Sequence, residues 1–382
     1  MAIVALSIDA LLPALPDIAK DLNIIDVSNN QLLITMIFLG LGIGQLIFGP
    51  LSDSLGRKPV IYTGFFIFII ASILCVTAHS FEVMILGRIL QGIGLAAPRT
   101  LSISMVRDTY SGDYMARVMS IVTMVFILVP VVAPSIGKFL ITFFDWRSIF
   151  NLNLIYACIV MFWFWKKQPE TLPKQKRSQL TLKSFINGGK EFFRHKNAIA
   201  YTLVSGCITG SFMVYLSTSQ QIFEHQYQLK DLFPYIFASL AISIGFATFL
   251  NSALVVRFGM KYIASIASIA FCIISILYVV IFHSGNNPEL SVLIIFFALQ
   301  FTAIGFLFGN LRSLAMQPIG HIAGVGAAIN GFVSTIMAVP IANFIGHYVT
   351  DSVLPLFIGF SICGAVSVLL MLLANRKTAP NQ

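Results

Sequence analysis

The feature that most constrains this chain is a near-continuous series of long apolar stretches from Met1 to about Ala374, broken only by short polar segments. A helix that crosses the hydrocarbon of a bilayer needs about 20 mostly apolar residues. Cutting at charge clusters and Gly/Pro/Asn turns gives stretches of that size at 32–50, 59–78, 83–106, 115–142 and 148–165. They resume at 198–222, 232–255, 262–282, 290–311, 322–346 and 353–374. With the stretch at 1–16 they number twelve, six on each side of a polar segment. Only 10% of the residues are charged and 57% are hydrophobic, where a soluble domain carries about 25% charged residues. A soluble protein, a single-anchor protein, a coiled coil and a disulfide scaffold are excluded. The chain reads as an all-α polytopic membrane protein, with a six-helix half at 1–165, a linker at 166–197 and a second half at 198–375.

The net charge of +9 raises the question of nucleic acid. The placement of the charges answers it. Lys and Arg accumulate on the cytoplasmic side of membrane proteins, and the segments after even-numbered spans, with the tail, hold eighteen of them, including Arg57, Lys58, Arg107, Arg257, Lys261 and Arg312. The opposite loops hold three, Lys20, Arg147 and Lys230. The basic excess is therefore a topology signal with both termini cytoplasmic, and no nucleic-acid partner is expected. The linker's mixture of Phe and basic residues at Phe185–Lys196 fits either an amphipathic helix on the anionic inner leaflet or a plain tether. The five cysteines lie within apolar stretches and read as packing residues, and the histidines show no metal spacing.

The first stretch is short. Its sixteen residues span about 24 Å at ~1.5 Å each, less than the ~30 Å core. No basic segment precedes it, so the expectation is a first helix incomplete at its N-terminus.

Ionisable groups within the hydrocarbon are costly and are functional candidates by default. Asp9, Arg88, Arg99 and Lys138 qualify; Lys138 is close enough to an end to snorkel. Asp9 and Arg88 fall at matching depths, so they are expected to pair, either as a static bridge or as a protonatable site whose charge responds to its partner. Gln91 shares a helix face with Arg88, and Arg99 follows on the same stripe three turns later. This stripe points to a water-filled face.

The segment Gly49-Pro-Leu-Ser-Asp53-Ser-Leu-Gly56-Arg57-Lys58 resembles the loop motif G-x-x-x-D-R-x-G-R-[RK] of the major facilitator superfamily, with Ser54 where the pattern has Arg. Asp9-Ala-Leu-Leu-Pro13-Ala-Leu-Pro16 is similar to the end of the first helix in the bicyclomycin/chloramphenicol resistance (Bcr/CflA) drug transporters. Arg88-x-x-Gln91-Gly92 with Met105-Val-Arg107-Asp108 resembles their fourth helix and its exit. Pro130-x-x-Ala133-Pro134-x-x-Gly137 resembles their antiporter motif, and Asp145-Trp146-Arg147 the start of their sixth helix. In the second half, Asn251-x-x-Leu254-Val255-x-Arg257-Phe258-Gly259 echoes the first-half loop, as an internal repeat requires.

The resemblance implies a twelve-helix major facilitator fold in a bacterial inner membrane, working as a proton-driven exporter of drugs or other small amphipathic compounds by alternating access. It assigns proton coupling to Asp9 and Arg88 and gating to Gly49, Asp53, Gly56, Arg57, Lys58, Arg107 and Asp108. Ala133, Pro134 and Gly137 become a hinge where Gly137 presses against the opposite half. In this fold helices 1, 4, 7 and 10 line the cavity, so Gln91, Arg99, Tyr215, Gln220, Gln300 and Asn310 are candidate substrate contacts. For Gln91, Tyr215, Gln220, Gln300 and Asn310, satisfied polar contacts between helices are the competing reading. No cofactor or metal is expected, the proton gradient being the energy source, and a monomer suffices. Catalysis is not expected, since the spans lack a catalytic cluster. A proton-coupled metabolite symporter, or a truncated transport-incompetent product or sensor, remain the alternatives.

Overall fold

The computed structural model describes residues 2–24, 27–110, 112–177 and 182–376. Among the described residues there is no strand. The helices are α1 (Ala2–Asp9), α2 (Leu15–Asp21), α3 (Val27–Leu55), α4 (Arg57–Val76), α5 (Phe81–Thr109), α6 (Gly112–Phe143) and α7 (Arg147–Lys167). They continue as α8 (Leu182–Arg194), α9 (Lys196–Gln220), α10 (Phe233–Phe258), α11 (Met260–Ile281), α12 (Leu290–Met316), α13 (Ala323–His347) and α14 (Leu354–Arg376). Among the described residues eleven helical segments are long and apolar enough to cross a membrane, and α6 adds the shorter apolar stretch Leu128–Phe143. Each of the twelve expected stretches has its helix.

The first span differs from expectation. It runs over Ala2–Asp21 instead of ending at Pro16. Pro13 sits in a 3-10 turn, Leu12–Ala14, and Pro16 in the first turn of α2, where a missing N–H is tolerated. The two prolines therefore break the span into α1 and α2 without terminating it.

The chain divides into two units, Met1–Asn187 and Gly188–Gln382. In the first, α5 packs between α3 and α4. The approach to α3 is so close at Gly92 that a Cβ there would lie 2.0 Å from the Ile37 carbonyl oxygen. In the second, α9 lies against α13 and α14, and α11 against α12 and α14. Its interior is rich in rings: Tyr215 meets Phe301 edge-on at 4.6 Å and Phe297 at 5.1 Å, and Tyr278 stacks on Phe357 at 3.7 Å. Large apolar side chains such as Phe66, Phe162, Phe249 and Leu369 are exposed along the spans. That is the surface a hydrocarbon solvent demands.

Candidate functional site

Asp9 ends α1, and the break that follows has a simple cause. Pro13 has no N–H to offer the Asp9 carbonyl, so the backbone tightens: the Leu11 N–H bonds Ile8 O at 3.3 Å and the Ala14 N–H bonds Leu11 O at 3.0 Å. The Ser7 carbonyl, four residues before Leu11, is thereby left for a side chain. Arg88 takes it, donating from Nη1 at 3.1 Å. The same guanidinium donates from Nε to Leu33 O at 2.7 Å and from Nη1 to Gln91 Oε1 at 2.9 Å. Phe150 lies 5.9 Å away by its ring centroid. Arg88 is fully buried and ties α1 and α3 to its own helix.

The expected Asp9–Arg88 pair is therefore corrected. Matching depth brings Arg88 to α1, but its Nε and Nη1 meet backbone oxygens and Gln91, while Nη2 is buried with no hydrogen-bond partner among the described residues. Among the described residues Asp9 makes no ion pair and is the only buried acidic side chain. The physical reason is azimuth: residues two apart on a helix point about 200° apart, and the carbonyl set free by the break is the nearer acceptor.

Gly137 is corrected as well. It packs inside its own unit, against α1. A Cβ on Gly137 would lie 2.0 Å from the Ala10 carbonyl oxygen. Ala133 and Pro134 are buried one turn earlier on α6, and Lys138 follows, half-buried. The Pro134–Gly137 segment thus lies over the break in the first span, one residue from Asp9.

Three candidate substrate contacts, Gln91, Gln300 and Asn310, make hydrogen bonds between helices, and Gln220 makes one to the turn that follows it. Gln91 Nε2 donates to Ser72 Oγ on α4 at 2.9 Å, and Gln300 Nε2 donates to Ser275 Oγ and to Phe271 O on α11. The two glutamines play the same part in the two units, down to a serine that bonds the carbonyl of a phenylalanine four residues earlier. Asn310 Nδ2 donates to Asn251 Oδ1 on α10 at 2.7 Å, and Gln220 Nε2 to Glu224 Oε2 at 2.6 Å. Tyr215 is enclosed by the rings of Phe237, Phe297 and Phe301. Arg99 is half-buried further along α5.

The loop between α3 and α4 is a charged cluster. Gly56 turns the chain at φ 104°, a conformation that suits glycine, and a Cβ there would meet Glu170 Oε2 and Arg177 Nη2 at 2.7 Å. Arg57, 3% exposed, donates from Nε to Asp108 Oδ2 at 2.8 Å and from Nη1 to Ser52 Oγ at 2.7 Å and to Asp53. Ser52 Oγ in turn donates to Gly49 O at 2.8 Å. Lys58 Nζ donates to Trp165 O at 3.2 Å, while Arg107 is exposed outside the cluster.

Sequence reasoning missed one member. Glu170, beyond α7, accepts from the backbone N–H groups of Arg57, Lys58 and Leu172, each at 3.0 Å. It caps the N-terminus of α4, where the helix dipole favours a carboxylate. Burial pushes the Glu170 carboxyl up, but those N–H groups and the Arg177 guanidinium outweigh it and hold the group below the ordinary glutamate value. An acid within the basic run from Lys166 to Lys196 was the available signal.

Comparison with known proteins completes the description. The family model described as Major Facilitator Superfamily matches residues 1–342. An uncharacterized MFS-type transporter, YdgK, of Bacillus subtilis is 29% identical over 91% of this chain and 87% of its own length. A bicyclomycin resistance protein homolog of Haemophilus influenzae is 28% identical, covering 95% of this chain and 90% of its own. Multidrug resistance protein D of Escherichia coli is 27% identical over 84% and 79%. Among solved structures, the xylose transporter XylE of E. coli superposes with a TM-score of 0.72 at 14% identity, covering 99% of this chain and 95% of that one. That likeness carries the fold.

Proposed function

Because this chain belongs to the Major Facilitator Superfamily, we propose that it is a proton-coupled exporter of drugs or other small amphipathic compounds, acting by alternating access. The observation that carries the coupling is Asp9. It is a buried carboxylate with no ion pair among the described residues, at a break in the first span. An ionised carboxylate is costly to bury alone, so Asp9 requires a proton or a positively charged guest, and exchange of one for the other is antiport. Arg88 is the fixed point against which α1 is held, and the Pro134–Gly137 segment covers the break.

The names of the relatives at comparable length, a bicyclomycin resistance protein homolog and multidrug resistance protein D, support drugs as the substrate class. The uneven Lys and Arg distribution supports a bacterial inner-membrane orientation with both termini cytoplasmic. In that orientation the cluster of Asp53, Arg57, Asp108 and Glu170 is the cytoplasmic gate. The proton gradient supplies the energy, no cofactor is invoked, and one chain suffices.

The test uses inverted membrane vesicles containing the protein, energised to an acidic interior and followed with a pH-sensitive dye. Cationic, neutral and anionic compounds are added in turn. Compound-induced proton release that disappears in Asp9→Asn is the expected result. Uptake of a compound into right-side-out vesicles driven by the inward proton gradient, with no release in the inverted ones, would replace export by symport.

A further inference from the structure

Helix α8 lies outside the membrane-crossing segments, immediately before α9. Its two faces have different fates. One face docks: a Cβ on Gly188 would sit 3.0 Å from Val325 of α13, Gly189 faces Ile329, and Phe192 is 1% exposed. The other face has no such cover. Phe193 is 58% exposed, and Lys190 and Arg194 are exposed on the same helix, with Lys196 exposed at the start of α9. At about 100° per residue, Lys190 and Arg194 lie roughly 60° and 100° round from Phe193, while Glu191 lies on the far side at about 160°.

We propose that this face binds anionic lipid of the inner leaflet, Phe193 entering the boundary between headgroups and acyl chains while Lys190, Arg194 and Lys196 meet lipid phosphates. The inference rests on the orientation given under Proposed function, which makes this end cytoplasmic. Phe193 and Ile186, 46% exposed and seven residues earlier on the same stripe, form among the described side chains an apolar patch beside the cations that is too small for a stable protein partner, which buries about 800 Å² per side. It suits a bilayer, which needs only a shallow apolar insertion with basic residues beside it. The docked face sets the helix at the ends of α9 and α13, at the level where headgroups lie. Each cation near an anionic surface strengthens binding about fivefold.

The test is a fluorescence measurement on the reconstituted full chain carrying Phe193→Trp. The parent, with Trp146, Trp163 and Trp165, supplies the baseline. Vesicles of phosphatidylethanolamine contain an equal fraction of either brominated phosphatidylglycerol or brominated phosphatidylcholine. The added indole should be quenched about twofold more strongly by the brominated anionic lipid, and Lys190→Gln, Arg194→Gln and Lys196→Gln combined should abolish the difference. Equal quenching by both lipids from the outset overturns the headgroup selection. Quenching by aqueous iodide with none by lipid overturns the proposal outright and leaves the face to water or a soluble partner. The lipid is present in both leaflets and no transport is needed, so failure of the export reading leaves this result interpretable.

Discussion

The Arg88 guanidinium donates to the Ser7 carbonyl at 3.1 Å and not to the carboxylate of Asp9 two residues on. Arg88 is thus a brace whose Nε and Nη1 serve three acceptors, Ser7 O, Leu33 O and Gln91 Oε1. Lysine keeps the charge but lacks the planar fork. Arg88→Lys should leave at least one buried acceptor unpaired, at about 1–3 kcal/mol each, lowering the apparent Tm in detergent by about 5 °C. Proton-coupled transport should fall with it. An unchanged Tm with lost transport would instead place Arg88 in direct contact with the proton or substrate.

Sequence reading was strong in depth and weak in direction. Span positions follow from the cost of exposing peptide groups to hydrocarbon, a one-dimensional constraint, so all twelve apolar stretches are legible. The matching depths of Asp9 and Arg88 were legible for the same reason. Which way a side chain turns depends on local backbone hydrogen bonding, and that is how Pro13, by diverting the Leu11 N–H to Ile8 O, hands Ser7 to Arg88. Gly56 and Arg57 were found because a turn and a charge leave a local motif. Glu170 is 113 residues from the N–H it caps, and no local pattern records such a distance.

The paired glutamines give a second prediction. Gln91 and Gln300 each reach a serine on the preceding span of their own unit. Gln300→Leu should therefore lower thermal stability by about 1 kcal/mol through loss of the hydrogen bonds that tie α12 to α11, Ser275 keeping its bond to the Phe271 carbonyl, while the KM for any exported compound stays within about twofold of the parent. A KM raised tenfold at unchanged stability would restore Gln300 as a substrate contact.

Glu170 makes the α4 cap dependent on pH. Its folded-state pKa is depressed, so the ionised cap contributes fully above the ordinary glutamate value of about 4.3. The contribution is lost as pH falls from there through the folded value. Glu170→Gln should be less stable than the parent by about 1 kcal/mol at neutral pH, and the two thermal-unfolding curves should converge on acidification below that range. A gap that persisted in acid would mean that shape, and not charge, holds the segment in place.

Gly137→Ala tests whether the α6 segment and the break in the first span act together. A methyl group at this position would meet the Ala10 carbonyl oxygen at 2.0 Å, and backbone cannot yield as a side chain can. Either α6 withdraws from α1 or α1 shifts; both loosen the cover over the residue next to Asp9. Overpacking of this kind costs about 1–3 kcal/mol, which a transporter of this size should survive as a folded protein. The informative readout is therefore coupling. In vesicles the variant should retain exchange of compound across the membrane yet release more protons per compound moved, because water reaching Asp9 would let its proton leave without the substrate. Parent-like stoichiometry would show that close packing of α6 on α1 serves assembly alone.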